Sequence, residues 1–325
     1  MMLLPDGSVM AQQAGITNHW YRLTPDASGS YATGTWTQAA SMNYSRLYFT
    51  SDILSNDELL VIGGEYSNAT TTTNGSLTNT AEMYDMATNA WTNLASVPTS
   101  LVGSFTWNPG SDSGTPFGDD PSMVLPDGKI LCGFIFNAKT LIYDPVANVW
   151  SLGPNKLHSD QSDEENWVKL PNGNILSYDV YTTSPSAQMF VPDPNPAIDH
   201  TEGQWVDAGT PPIALASSSS HELGPGSLLP DGDVFYEGAT GHTALYHYQT
   251  NTWTQDPDIL SSSGSLMGAD DAPAAVLPNG NVLFTADSVS KGAYQPPTAI
   301  FDYDPVANTI TQVADLPDMT LSGEP

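Results

Sequence analysis

The stretch Ser122-Met123-Val124-Leu125-Pro126-Asp127-Gly128-Lys129-Ile130-Leu131-Cys132 carries the pattern on which the whole chain is built. Its centre is a turn: Pro126 presets φ, Asp127 tolerates the next corner, and Gly128 supplies the positive φ that closes a hairpin with a bulge. The aliphatic runs on either side make the turn a junction between two adjacent antiparallel strands. The same turn recurs as Leu4-Pro5-Asp6-Gly7, Leu54-Ser55-Asn56-Asp57, Leu170-Pro171-Asn172-Gly173, Leu229-Pro230-Asp231-Gly232 and Leu277-Pro278-Asn279-Gly280, at intervals of 45 to 71 residues.

A second hairpin follows each first one. Tyr84 and Trp91, Tyr143 and Trp150, and Tyr246 and Trp253 are each seven apart across a polar turn such as Asp85-Met86-Ala87-Thr88-Asn89. The last copy keeps Tyr303 but carries Ile310 in place of Trp, and looser copies end in Trp36 and Trp205. An aromatic on each strand suits packing between neighbouring sheets. Two hairpins per repeat make a four-stranded sheet, and six repeats predict an all-β propeller, because a radial array buries both faces of each small sheet. A sandwich would not require the same two turn chemistries six times. The blades are expected at approximately 1–42, 43–98, 99–155, 156–212, 213–260 and 261–325, as one propeller. The first strand begins at Met1 without a lead-in, and 316–325 reads as a lead-in without a strand. A tail that closes the ring and a seventh blade in a longer parent both stay open.

The glycine pair in Val61-Ile62-Gly63-Gly64, with Ser45-Arg46-Leu47-Tyr48 before it and Tyr84 and Trp91 after it, resembles a kelch repeat. The chain is similar to bacterial kelch-repeat propellers and to the central propeller of galactose oxidase-type proteins. The resemblance implies the fold and invites a test of copper-radical chemistry, which in that family uses two tyrosines, two histidines and a cysteine cross-linked to one tyrosine. Tyr48 stands in a tyrosine-like slot, but acids or Leu223 stand where histidines are needed, and Cys132 follows a turn. No copper is expected.

The formal charge of −29 arises from 7 Lys and Arg against 36 Asp and Glu. So few bases cannot neutralise phosphates, which excludes nucleic acid as a partner. No apolar run approaches the roughly 18 residues of a membrane span. A single cysteine, Cys132, excludes a disulfide framework and a Cys-rich zinc site. The shortage of bases points to an exported acidic protein, extracellular or at the cell surface. With no signal peptide in view, the start reads as the trimmed edge of a longer precursor.

Candidate chemistry lies in the segments that lead into each first strand. Counting back seven from the turn proline, or from Ser55, gives Tyr48, Asp119, Glu164, Leu223 and Asp271, with Asp120, Glu165, Glu222 and Asp270 beside them. Carboxylates gathered at one end of a channel repel one another and need compensation. A hard cation is one solution, with Ca²⁺ as the expected ion and Asp119, Asp120, Glu164, Glu165, Glu222, Asp270 and Asp271 as candidate ligands. Pairing with Arg46 is a second, and division into catalytic acid and base is a third, with Asp271, Glu164, Arg46 and Tyr48 as candidates. A purely structural capping role is a fourth, and all remain open. Loops at 67–80 and 100–118 are expected to wall the acidic end, and Trp107, Tyr48 and Arg46 are the candidate ligand contacts. Trp167 is a further candidate for stacking on sugar rings. His19, His158, His200, His242 and His247 show no repeating metal spacing, and the run Ser217 to His221 reads as a loop. The expected function is a monomeric binding module for a glycan or protein ligand. The alternative is an enzyme using the channel carboxylates on a carbohydrate or other small polar substrate.

Overall fold

The computed structural model describes residues 1–67, 77–103, 105–107, 112–114, 117–194, 202–292 and 294–316, as backbone alone at 105–107 and 112–114. The chain is an all-β, six-bladed propeller of mostly four-stranded antiparallel sheets. Two compact units divide it: one comprises Met1–Ile135 with Leu141–Leu152, the other Phe136–Thr140 with the chain from Gly153 onward.

In the first unit, blade 1 contains Met2–Leu3, Val9–Gln12, Trp20–Thr24 and Thr35–Gln38. Blade 2 contains Thr50–Ile53, Leu59–Ile62, Ala81–Asp85 and Ala90–Asn93, and blade 3 Ser122–Val124, Ile130–Cys132, Leu141–Asp144 and Val149–Leu152. In the second unit, blade 4 contains Trp167–Lys169, Ile175–Tyr178, Ala187–Pro192 and Gly203–Asp207, and blade 5 Gly226–Leu228, Val234–Glu237, Thr243–His247 and Thr252–Asp256. Blade 6 has Ala274–Val276, Val282–Ser288, Ala299–Asp304 and Thr309–Asp315, with the short strand Met267–Gly268 pairing beyond Ala274–Val276 on the long second strand.

All six first turns close alike. The leucine N–H bonds to the carbonyl four residues on, as in Leu125 to Lys129 at 2.7 Å, and the residue closing the turn donates back to the leucine, as in Gly128 at 3.0 Å. Asp57 takes the glycine's place in blade 2, with φ of 67°. An Asp or Asn side chain then accepts the N–H two residues later, as Asp127 does from Lys129 at 3.1 Å. These demands are local, so the motif is readable without knowing its neighbours.

Second strands such as Leu59–Ile62, Ile130–Cys132 and Val234–Glu237 are buried along their whole length, whereas Thr35–Gln38 is exposed throughout. Alternating side chains of one strand enter two different cores. Val234 and Tyr236 pack toward blade 4 with Leu176 and Tyr178, while Phe235 packs toward blade 6 with Phe284 and Phe301.

The Tyr and Trp seven apart are direct cross-strand partners in blades 2, 3 and 5. Their rings lie 4.8 to 5.2 Å apart. Each Trp also reaches the preceding blade: Nε1–H donates to a carbonyl from Trp91 to Ala40 at 2.9 Å, from Trp150 to Ala95 at 2.8 Å and from Trp253 to Ala208 at 2.9 Å. Asn148 works beside it. Held at φ 54°, its side-chain oxygen accepts from Tyr143 OH at 2.8 Å and from the Ala95 N–H at 2.7 Å, tying blade 3 to blade 2. Asn89 does the same for Tyr84 and Ala40. The residue chosen is one that tolerates left-handed backbone and carries an acceptor.

This separates two contributions at Asn148. Asn148→Gly keeps the backbone unstrained and loses only the two hydrogen bonds, for about 1–2 kcal/mol. Asn148→Ala adds left-handed strain of about 1 kcal/mol. Urea unfolding of the first-unit signal is expected to rank wild type above the Gly variant and the Gly variant above Ala. Equal loss in the two variants would remove the backbone contribution.

Candidate functional site

The lead-in segments share a backbone feature. Tyr48, Asp119, Glu164 and Asp271, each seven residues before the turn, hold φ values of 46°, 56°, 59° and 46°. In blade 5 the left-handed residue is His221, φ 65°, two positions before the buried Leu223. Left-handed backbone costs about 1–2 kcal/mol for a residue with a Cβ. It recurs ahead of the first strand in blades 2 to 6.

In the second unit the lead-ins bring Glu164, Glu222 and Asp271 together, with one carboxylate oxygen from each within 4.8 Å of the others. Tyr294 donates its hydroxyl to Asp271 Oδ2 at 2.9 Å. Burial pushes Glu222 up to about 7, and Asp271 and Asp270 add to it, while hydrogen bonds with Tyr294 and Glu164 pull the other way. Asp270 is pushed up to about 6 by burial, by Asp287 and by Asp271. At one side Tyr181 hydrogen-bonds Asp163 through its hydroxyl, and its ring stacks on His221 at 4.5 Å. Burial raises Asp163 too, against Tyr181, Gln161 and the His221 charge.

Glu165, one residue beyond Glu164, belongs to a different centre. It is buried and ion-paired with Lys156 Nζ, and its other oxygen accepts from Trp167 Nε1 and Ser177 Oγ, each at 3.0 Å. Asp160 Oδ2 lies 3.4 Å from the same ammonium. Asp179 completes the acids within reach and accepts from Ser186 at 2.7 Å and Gln188 at 2.5 Å. His158 Nδ1 stands 2.6 Å from Asp179 Oδ2. Burial pushes Glu165 upward, Lys156 opposes this, and Asp160 and Asp179 reinforce it. Lys156 supplies positive charge to both Glu165 and Asp160, so Glu165 is part of the protein's own ion-pair network.

The other sequence candidates separate. Arg46 is fully buried and faces no lead-in acid: it pairs with Glu82 Oε1 at 2.7 Å and donates to Gly63 O at 2.5 Å and Thr80 O at 3.0 Å. It is a strut inside blade 2, because the Gly63–Gly64 pair lets neighbouring backbone come close around it. A Cβ on Gly64, φ 116°, would meet Leu47 O at 2.8 Å. Tyr48 is 56% exposed and edge-on to Tyr66, so it offers a rim hydroxyl. Asp119 is half-buried in the first unit, its N–H donating to Tyr48 O at 2.8 Å. Asp120 is buried beside the Thr50 hydroxyl, which donates to its carbonyl at 2.6 Å. Trp107 lies in the strand Phe105–Trp107, and its side chain is outside the described residues. Trp167 is buried against Trp205. His158, His242 and His247 each pair with an aspartate, and His200 is outside the described residues.

Tyr181 and Tyr294 were not singled out by sequence. Both lie between the second and third strands of their blades, as Tyr66 does in blade 2, and each stands beside lead-in residues. Tyrosine recurring at that loop was the available signal.

Residues 48–98 match the Kelch motif. No curated protein matches the sequence. Among solved structures the chain is similar to a fungal alcohol oxidase of the AA5 family in complex with copper, at 16% identity and a TM-score of 0.65. The match covers 88% of this chain and 57% of the oxidase, so the chain spans little more than half of that protein. At that identity the likeness concerns the fold. The clusters capable of holding a metal among the described residues are all-carboxylate, with no histidine or cysteine. Cys132 is buried in blade 3, where burial, Asp52 and Asp120 push its thiol well upward. This hard oxygen set does not fit a copper centre of imidazole and phenolate.

The Lys156 centre yields a double-variant test. Lys156→Met leaves Glu165 buried without its cation and is expected to cost about 3–5 kcal/mol, whereas Lys156→Met with Glu165→Leu recovers most of that loss. Thermal unfolding of the three proteins decides; a double variant no better than the single would remove the pairing argument.

Proposed function

We propose that the chain is an exported binding module in which Glu164, Glu222 and Asp271 take a divalent cation and present it to a polar ligand, a glycan or a protein side chain. The observation that carries this reading is the grouping of Glu164, Glu222 and Asp271, one carboxylate oxygen from each lying within 4.8 Å of the others. A flexible shell of mixed oxygen ligands suits Ca²⁺ better than Mg²⁺, which demands near-ideal octahedral geometry. Tyr294 and the stacked Tyr181–His221 pair give the surroundings the flat faces and hydroxyls that sugars are held by. Scarcity of bases supports export, and the ligand reaches the cation through the exposed side of Asp271 and Tyr294.

A second reading rests on Glu222. Pushed up to about 7 beside Glu164, it keeps a proton near neutrality and has the makings of a general acid next to a base. This reading expects turnover of a glycoside or uronate substrate with a descending limb near pH 7, abolished in Glu222→Gln. Cation binding without turnover on such a panel favours the module.

The cation makes a signed pH prediction. Glu222 is raised from 4.5 to about 7 and Asp270 from 3.8 to about 6. The folded chain thus holds protons the unfolded chain has released, so cation-free stability is greatest at the acid end of this window and falls as pH rises through about 6 to 7. Bound Ca²⁺ replaces those protons and flattens the fall. Melting curves from pH 5 to 8, with chelator and with Ca²⁺, test this alongside calorimetric titration of Glu222→Gln/Asp271→Asn. A slope indifferent to Ca²⁺, or wild-type binding retained in the double variant, overturns the cation reading.

A further inference from the structure

At the turn end of the first unit, away from the lead-ins, lies a cavity of about 380 Å³ between blades 2 and 3. Leu54, Met83, Pro145 and Val146 give it apolar walls, and Glu58 and Asp144 stand at its polar side. Its origin can be read from the repeats. In blade 5 the turn glycine Gly232 is covered: a Cβ there would meet Pro171 Cγ of blade 4 at 3.1 Å and the Tyr248 ring at 3.0 Å. In blade 6, Gly280 is covered by Pro230 of blade 5, at 3.3 Å. In these two pairs the turn proline of one blade seats itself on the turn glycine of the next, whereas Gly7 of blade 1 has nothing within 4 Å of a Cβ.

Blade 2 alone carries Ser55 where the other five turns have proline, and the glycine it would cover, Gly128, has nothing within 4 Å of a Cβ. Blade 3 also has Pro145 at the position that Tyr248 occupies in blade 5, two residues after the cross-strand tyrosine. Both fillers are missing at one seat, and the cavity is what remains. Val146, at its edge, is 96% exposed.

We propose that this cavity is a docking site for a basic, proline-bearing segment of a partner protein. The seat has the shape that a proline ring fills elsewhere in the same fold, and a ring entering from outside would cover Gly128 as Pro171 covers Gly232. The charge requirement comes from the walls. They carry three carboxylates, Glu58, Asp127 and Asp144, against one ammonium, Lys129, on a chain of net charge −29. A basic residue flanking the proline meets that excess, and charge of this kind steers association. The proposal is independent of the cation cluster, which lies in the other unit.

The test is calorimetric titration of full-length protein with acetyl-Lys-Pro-Lys-Pro-Lys-amide and with acetyl-Lys-Gly-Lys-Gly-Lys-amide, which has equal charge and no ring. The proline peptide is expected to bind about ten-fold tighter. Ser55→Pro restores the filler five other turns use, and Pro145→Tyr restores the one blade 5 uses. Each is expected to weaken the proline peptide by about ten-fold while leaving the melting temperature at or near wild type. If Ser55→Pro does not fold, Pro145→Tyr alone carries the comparison. Equal binding of the two peptides would show attraction by charge only and overturn the proposal. So would no binding by wild type, or a folded variant that binds like wild type.

Discussion

A four-stranded sheet whose second strand is apolar on both faces cannot stand alone. Val234–Glu237 divides its side chains between two cores, so blade 5 has no folded form without a sheet on either side. This constraint governs the remaining design. Burial declines from the second strand to the fourth, which lets the outer strands be rich in Thr, Asn and Gln. The Trp Nε1–H and the left-handed Asn then fix each sheet against the one before it through backbone groups, and backbone does not vary with the blade's own sequence. A direct bond to a carbonyl is therefore compatible with repeats that have otherwise diverged.

What the sequence disclosed follows from how local each requirement is. The Pro-Asp-Gly turn depends on four residues and their φ values, so all six were legible, including the Asn56-Asp57 form with no glycine. The Tyr–Trp spacing of seven was legible as a hairpin because cross-strand partners sit at a fixed offset from their turn. The carbonyls that Trp91 and Trp150 reach lie some fifty residues away in sequence and leave no local trace. At the site, the position seven before the turn was readable, yet its neighbours could not be ranked. A shift of one residue turns a side chain to another face: Glu164 joins the acid cluster, and Glu165 enters the Lys156 network. Arg46 was misplaced for a related reason. A scarce cation near acids in sequence suggests a counter-ion, but its true partner, Glu82, comes from the third strand of its own blade.

These placements recast the charge of −29. Two of the seven basic residues, Arg46 and Lys156, are fully buried, where each holds a carboxylate that could not otherwise lose its water. Spending two cations inside leaves only five basic residues for the rest of the chain. Hydrogen bonds such as that from Tyr294 ease the crowding at Glu164, Glu222 and Asp271, and in the proposed reading a shared proton or a cation from outside does the rest.

The two acid centres that meet at the blade 4 lead-in are thus answers to one electrostatic problem at different depths. Around Lys156 the charge that compensates Glu165 and Asp160 is covalently part of the chain, its position set by packing. At the lead-ins the proposed compensation comes from solution, to which Asp271 and Tyr294 are exposed. A permanent cation stabilises but cannot report on its surroundings. An exchangeable one can. Glu164 and Glu165 are adjacent on a single lead-in, so a cation at the outer centre would bear directly on a segment that the inner centre holds in place.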